Sequence, residues 1–264
     1  MKAVLGIDAA WTAHNPSGLA LATQYREKWS LHSVWPSYAN FLDAPMHSAA
    51  DLPDRAAELC GRFPDLVAVD MPLSDLPITG RRAADRAVSR AYGGRAAATH
   101  SPSALRPGLI ADRMRQELGS RGYGLRHSGR PDGRLAEVYP HPALIELLQA
   151  PRRLPYKIQR AGNYWPGLPP SVRRAKLRVE WARILDALEN LLPGTRDALA
   201  MPPADASIAL LKSFEDQLDA VICAAVAVEI VEGRATAYGD ATAAVWIPTP
   251  RPCTDASSVS LQSG

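Results

Sequence analysis

Val4, Leu5 and Ile7 form a short apolar run that closes on Asp8, the pattern of a strand buried on both faces with a charge at its end. The segments 17–24 (SGLALATQ) and 29–36 (WSLHSVWP) read as strands two and three of a meander, turning around Arg26-Glu27-Lys28. Residues 48–63 read as a helix with Ala56, Leu59, Cys60 and Phe63 on its inner face. A second apolar strand, 65–73 (DLVAVDMPL), again ends in a carboxylate, Asp70, and is broken by Pro72. Within 74–134, rich in Arg, Gly, Pro and Ala, the stretches 80–92 and 109–119 read as helices. Residues 134–142 (RLAEVYPHP) form a short strand that holds Glu137 and stops at two prolines, and 142–149 begin a helix. Residues 151–170 read as a loop containing Pro, Tyr and Trp, and 171–192 as a long helix, basic in its first half.

The segment 213–233 (SFEDQLDAVICAAVAVEIVEG) is the most informative helix. After Asp219 its only charges before Gly233 are Glu229 and Glu232, so it is expected to be buried on nearly all sides. Asp219 lies on the stripe of Cys223, Val226 and Ile230 and should face the sheet. Residues 235–240 and 243–249 suit a closing hairpin or edge strands, and the polar, aperiodic tail 251–264 suggests disorder. No internal repeat is present.

At 264 residues with 47% hydrophobic content, the chain can build the core of one large α/β domain. No apolar run reaches the ~18–20 residues that span a bilayer. The start runs into a strand without a signal-peptide pattern. Cys60, Cys223 and Cys253, odd in number and far apart, suit neither a disulfide framework nor a zinc site. These features lead to the expectation of a cytoplasmic protein with no membrane partner. The net charge of +3 conceals an asymmetry. Residues 71–134 hold twelve arginines, no lysine and five acids; residues 151–183 hold nine bases and only Glu180; residues 184–264 hold four bases and eleven acids. Each run suits a solvated face, but two basic segments beside an acidic helix also suit a polyanion partner.

Three strands therefore carry an acid near an end: Asp8, Asp70 and Glu137. The buried helix adds Asp216 and Asp219, three residues apart and on one face. Taken singly, Asp8 suits a backbone turn before TAHNPSG as well as a metal. Asp70 suits a turn cap, Glu137 an arginine partner, and Glu215 and Asp216 the first turn of a helix, where the dipole favours acids. Taken together, carboxylates gathered at one sheet edge repel one another, and a hard divalent cation, Mg²⁺ or Mn²⁺, relieves that repulsion.

The order of strand ending in Asp, meander, helix, strand ending in Asp and late helix with Asp resembles the ribonuclease H-like superfamily. More narrowly, the chain resembles DUF429, a family described as predicted RNase H-like nucleases. The pieces that carry the resemblance are GIDAAW (6–11), VDMPLSDLPITGRRAADRA (69–87), AEVYPHPAL (136–144), YK (156–157) and DQLDAVICAAVA (216–227). LDAVICAAVA is also similar to the final helix of the resolvase-like branch, which would imply a homodimer.

The resemblance implies an α/β fold: a mixed five-stranded sheet of order 3-2-1-4-5 flanked by helices, one domain over 1–250 with an Arg/Pro-rich insertion at about 74–134. It implies a nuclease hydrolysing phosphodiester bonds, with DNA or RNA left open. Asp8, Asp70, Glu137 and Asp219 would be catalytic, and Asp8, Asp70, Asp216 and Asp219 would bind two Mg²⁺ or Mn²⁺ ions. Arg82 and Arg86, from GRRAADRA, are candidates for substrate contact, with Lys157 and Lys176 after them. His141 is a candidate proton donor or orienting group, and Tyr139, Tyr164 and Trp165 are candidates for base stacking. A small-molecule phosphodiesterase, with the 74–134 insertion roofing the site against long nucleic acid, is also open, and two rival readings of other classes remain on these residues. One is a nucleic-acid or nucleotide binder that has lost catalysis. The other is an actin- or sugar-kinase-like phosphotransferase, for which the chain is short and its only Gly-Gly, Gly93-Gly94, is misplaced.

Overall fold

The computed structural model describes residues 1–11, 17–45 and 48–250. The tail 251–264 and most of the turn after Asp8 lie outside the described residues, and so do the expectations placed on them. Strand β1 (Lys2–Asp8) runs antiparallel to β2 (Gly18–Tyr25), which returns antiparallel as β3 (Lys28–Trp35). The hairpin between β2 and β3 closes at Arg26 and Glu27, both at positive φ (46° and 66°), the backbone a tight two-residue turn requires. Helices α1 (Tyr38–Leu42) and α2 (Leu52–Cys60) lead to β4 (Leu66–Val69), parallel to β1. The Arg/Pro-rich segment supplies α3 (Ala83–Tyr92) and α4 (Leu109–Ser120) before β5 (Leu135–Val138), parallel to β4.

The second half is helical: α5 (Pro140–Leu147), α6 (Ala161–Tyr164), α7 (Pro170–Leu191), α8 (Thr195–Ala198) and α9 (Ile208–Val231). A closing hairpin, β6 (Ala235–Gly239) and β7 (Ala244–Pro248), completes the sheet. Among the described residues the sheet order is β3-β2-β1-β4-β5-β7-β6. The expected order 3-2-1-4-5 is present, and the hairpin extends five strands to seven because β7 pairs in parallel with β5. The segment expected to be a loop at 151–170 contains a helical turn and α6.

Period-2 alternation divides the core into two layers. Leu5, Ile7, Val67, Val69 and Leu135 face Leu52, Ala56, Met114 and Leu118 of α2 and α4. Val4, Ala68, Ala136 and Val138 face α5, α7 and α9, where Trp181, Leu218 and Cys223 are buried. Every residue of α9 from Leu218 to Ile230 is buried, as its apolar surround requires. The helix lies unusually close to the sheet because two facing positions have no side chain. A Cβ on Gly6 would collide with the Ala220 carbonyl and the Ala224 backbone, and one on Gly18 with the Asp216 carbonyl. Since Gly18 is the register partner of Asp8, this close approach delivers Asp216 and Asp219 to the end of β1.

Candidate active site

Asp8 is the last residue of β1 and Asp70 the first after β4, and the Asp70 N–H donates to Ile7 O at 2.9 Å. Ile7 and Val69 are register partners facing α2 and α4. Alternation therefore turns Asp8 and Asp70 together towards α9. Both line a cavity of about 440 Å³ with Trp11, His100, Arg106, Lys157, Gln159, Lys212 and Asp216. Neither carboxylate has a hydrogen-bond or ion-pair partner among the described residues. Burial, then the charge of Asp219, raises Asp8 well above the usual carboxylate range against the pull of Lys157. The same causes push Asp70 up to about 7.

The acids of α9 are differently placed. Asp219 is fully buried; Tyr156 Oη donates to its Oδ1 at 2.7 Å, and the Lys157 ammonium bonds its Oδ2. Lys157 also stands 3.7 Å from Glu215 Oε1, and the Ile158 N–H donates to Glu215 Oε2 at 2.5 Å. The Tyr156–Ile158 stretch is thus fastened along the acidic face of α9, with Trp181 Nε1 donating to Tyr156 O at 2.8 Å from behind. Burial works against charge on Lys157, but Asp219, Tyr156, Glu215 and Asp8 outweigh it and hold the ammonium charged. Lys212 bonds Asp216 one turn away and lies 3.2 Å from Glu215 Oε1. Glu215 and Asp216 are not in a first helical turn: α9 begins at Ile208, about two turns earlier, so the dipole does not explain them.

Glu137 reaches the same sheet edge from the opposite face. It is the register partner of Val69, and its neighbours Ala136 and Val138 face α9, so its own side chain leaves the sheet on the other face, although it lines a small pocket with Asp70 and its charge acts on that carboxyl. There it takes a bidentate ion pair from Arg82, at 2.5 Å and 2.7 Å, and the Leu73 N–H at 2.7 Å. Arg82 also binds Asp85, at 2.8 Å and 3.0 Å, and the Leu73 carbonyl at 2.7 Å. The expected catalytic acid and the expected phosphate contact are consumed by each other, a structural clamp for the Arg82–Asp85 helix start.

The remaining expected residues scatter. Arg86 is exposed and donates to Arg81 O at 2.9 Å. Lys176 sits 5.9 Å from the Trp165 ring centroid, outside the cavity lining. His141 is buried between the Tyr139 and Tyr156 rings, both 5.4 Å away, with Nδ1 unpartnered among the described residues. Burial and the surrounding cations lower its pKa well below the ordinary value, so it is neutral at pH 7 and does not fit a proton donor. Lys212, His100 and Arg106 were not singled out from the sequence; of these only Lys212, one helical turn before Asp216, carried a signal.

Among the described residues no group of three or more His, Cys, Asp or Glu side chains would hold a metal ion as it stands. The donor set offers instead two open carboxylates, Asp8 and Asp70, with Asp216 on the same wall and ammonium groups neutralising the others. That set fits a hard divalent cation entering at Asp8 and Asp70, where two half-buried acids stand side by side with no ion-pair partner among the described residues. No described helix is long and apolar enough to cross a membrane.

The family model for proteins of unknown function DUF429 matches residues 6–243, and the chain belongs to that family. No curated protein and no solved structure matches it.

Proposed function

We propose that this protein is a divalent-metal-dependent phosphodiester hydrolase acting on nucleic acid. The observation that carries the reading is the Asp8–Asp70 pair, side by side at the ends of two parallel strands, unpartnered among the described residues and open to a cavity rimmed by Arg106, Lys157 and Lys212. Carboxylates at the ends of strands one and four of a 3-2-1-4-5 sheet agree with the ribonuclease H-like resemblance. A bound Mg²⁺ or Mn²⁺ would supply Lewis acidity and a water of lowered pKa. Asp8 and Asp70 would hold that ion. Lys157, fixed by Asp219 and Glu215, keeps one positive charge beside them, and this reading therefore asks for one ion at Asp8 and Asp70. Arg106 and Lys212 line the same cavity and suit the phosphate oxygens.

The lysine itself favours a second reading, a nucleic-acid binder in which Lys157 permanently neutralises the acids. Cleavage of a fluorophore-quencher oligonucleotide with Mn²⁺ separates the two. Hydrolysis by wild type should fall in Asp8→Asn and Asp70→Asn by more than the roughly hundredfold that loss of an outer metal partner costs. Binding without metal-dependent cleavage of DNA or RNA substrates supports the second reading.

A further inference from the structure

The two basic segments meet different fates. In the first, five of the twelve arginines, Arg82, Arg95, Arg113, Arg115 and Arg121, each take a carboxylate partner. In the second, Arg152, Arg153 and Arg160 have no carboxylate within ion-pairing distance among the described residues, and Arg183 reaches Glu180 only at 3.9 Å. These four arginines line one cleft of about 550 Å³ together with Tyr164, Trp165 and a single acid, Glu180. The guanidinium Nε of Arg153 and the hydroxyl of Tyr164 are buried there without a hydrogen-bond partner among the described residues.

The cleft adjoins the carboxylate cavity. Gln159 lines the cavity and its chain neighbour Arg160 lines the cleft. Arg153 and Arg160 also act electrostatically on His100, a residue of the cavity wall. Arg152, Arg153 and Arg160, with no carboxylate partner among the described residues, outnumber the one Arg183–Glu180 pair in the cleft, and such guanidiniums gain from phosphates through bidentate bonds and counterion release. Two half-exposed aromatic rings among them offer faces on which bases stack, and only unpaired bases present such faces.

We infer that this arginine-aromatic cleft binds a single-stranded nucleic acid, holding its backbone on Arg152, Arg153, Arg160 and Arg183 and a base on Trp165 or Tyr164, as the strand leaves the Asp8–Asp70 cavity. The inference rests on the proposed hydrolase reading for the strand's destination, but binding in the cleft requires no cation.

The test is fluorescence anisotropy of the full chain in EDTA with a labelled 12-mer oligothymidylate and with a 12-base-pair duplex. Wild type should bind the single strand about tenfold or more tightly than the duplex. Reversing Arg152 and Arg160 to Glu should abolish most binding and flatten its salt dependence. Trp165→Ala should lose about tenfold, restored by Trp165→Phe. Because Trp165 also packs against the core, the exposed arginine pair keeps the test valid should Trp165→Ala unfold. Equal or tighter duplex binding overturns the inference. So does wild-type affinity in the arginine double variant, or displacement by polyglutamate at equal charge, which would mark an acidic-protein site. EDTA keeps the two readings apart. A protein that takes up no Mn²⁺ but binds the 12-mer loses only the hydrolase reading, and one that takes up Mn²⁺ but ignores the 12-mer loses only the cleft.

Discussion

The Lys157 ammonium is bonded to the Asp219 carboxylate beneath the cavity, on a helix face that also presents Glu215 and Asp216. Asp219 is fully buried and Lys157 one-fifth exposed, so removing one partner leaves an uncompensated charge in the core. Lys157→Met should cost about 3–5 kcal/mol of unfolding free energy. Millimolar Mn²⁺ should recover part of that loss, raising the melting temperature of the variant more than that of wild type. A variant as stable as wild type would show that the ion pair does not neutralise the acidic face.

Asp70 gives a pH dependence of definite sign. Its carboxyl titrates near 7 when folded, against an ordinary value of 3.8, so between those values the folded state holds more protons than the unfolded state. Stability of the metal-free protein should therefore fall as pH rises through about 4 to 7. Asp70→Asn should stabilise the protein, little at pH 4 and by a few degrees in melting temperature at pH 8. A constant difference across that range contradicts the assignment.

Gly6 is the position that lets α9 descend onto β1. Gly6→Ala places a methyl group against the Ala220 carbonyl and Ala224 backbone, neither of which can rotate away. Urea unfolding should register a loss of about 3 kcal/mol or more, at or beyond the upper end for overpacking. Unchanged stability would mean that the helix shifts freely, and the placement of Asp216 and Asp219 would lose its structural cause.

Glu137 separates structure from chemistry. Glu137→Gln removes a charge from the buried clamp on Arg82 and should destabilise by about 2–4 kcal/mol, yet leave Mn²⁺ affinity within twofold. A large loss of Mn²⁺ affinity would place Glu137 at the metal site.

Much of this arrangement was legible in the chain. The strands ending in Asp8 and Asp70, the buried final helix and the inward stripe of Asp219 follow from periodicities of 2.0 and 3.6. Glu137 leaves the sheet on the face opposite Asp8 and Asp70, for a reason also present in the sequence. Asp70 follows the alternation of Leu66–Val69 onto the α9 side, whereas Glu137 falls between Ala136 and Val138, which already occupy that side. Only the inter-strand register, Val69 against Glu137, makes the comparison possible, and register is not a local property. The seat of Lys157 on Asp219 joins residues 62 apart in sequence, and the pairing of β7 with β5 joins segments still further apart. Spacing along the chain encodes neither. The charge runs were visible, but which of them is spent on internal carboxylates is decided by tertiary contacts such as Arg82–Glu137 and Arg95–Glu146.

The most direct measurement is Mn²⁺ binding to the full chain by titration calorimetry, with wild type, Asp8→Asn and Asp70→Asn compared under identical buffer. Saturable binding by wild type, lost in both variants while each remains folded, is the expected result. Absence of binding to folded wild type at millimolar Mn²⁺, or binding that survives both substitutions, would contradict a cation site at Asp8 and Asp70.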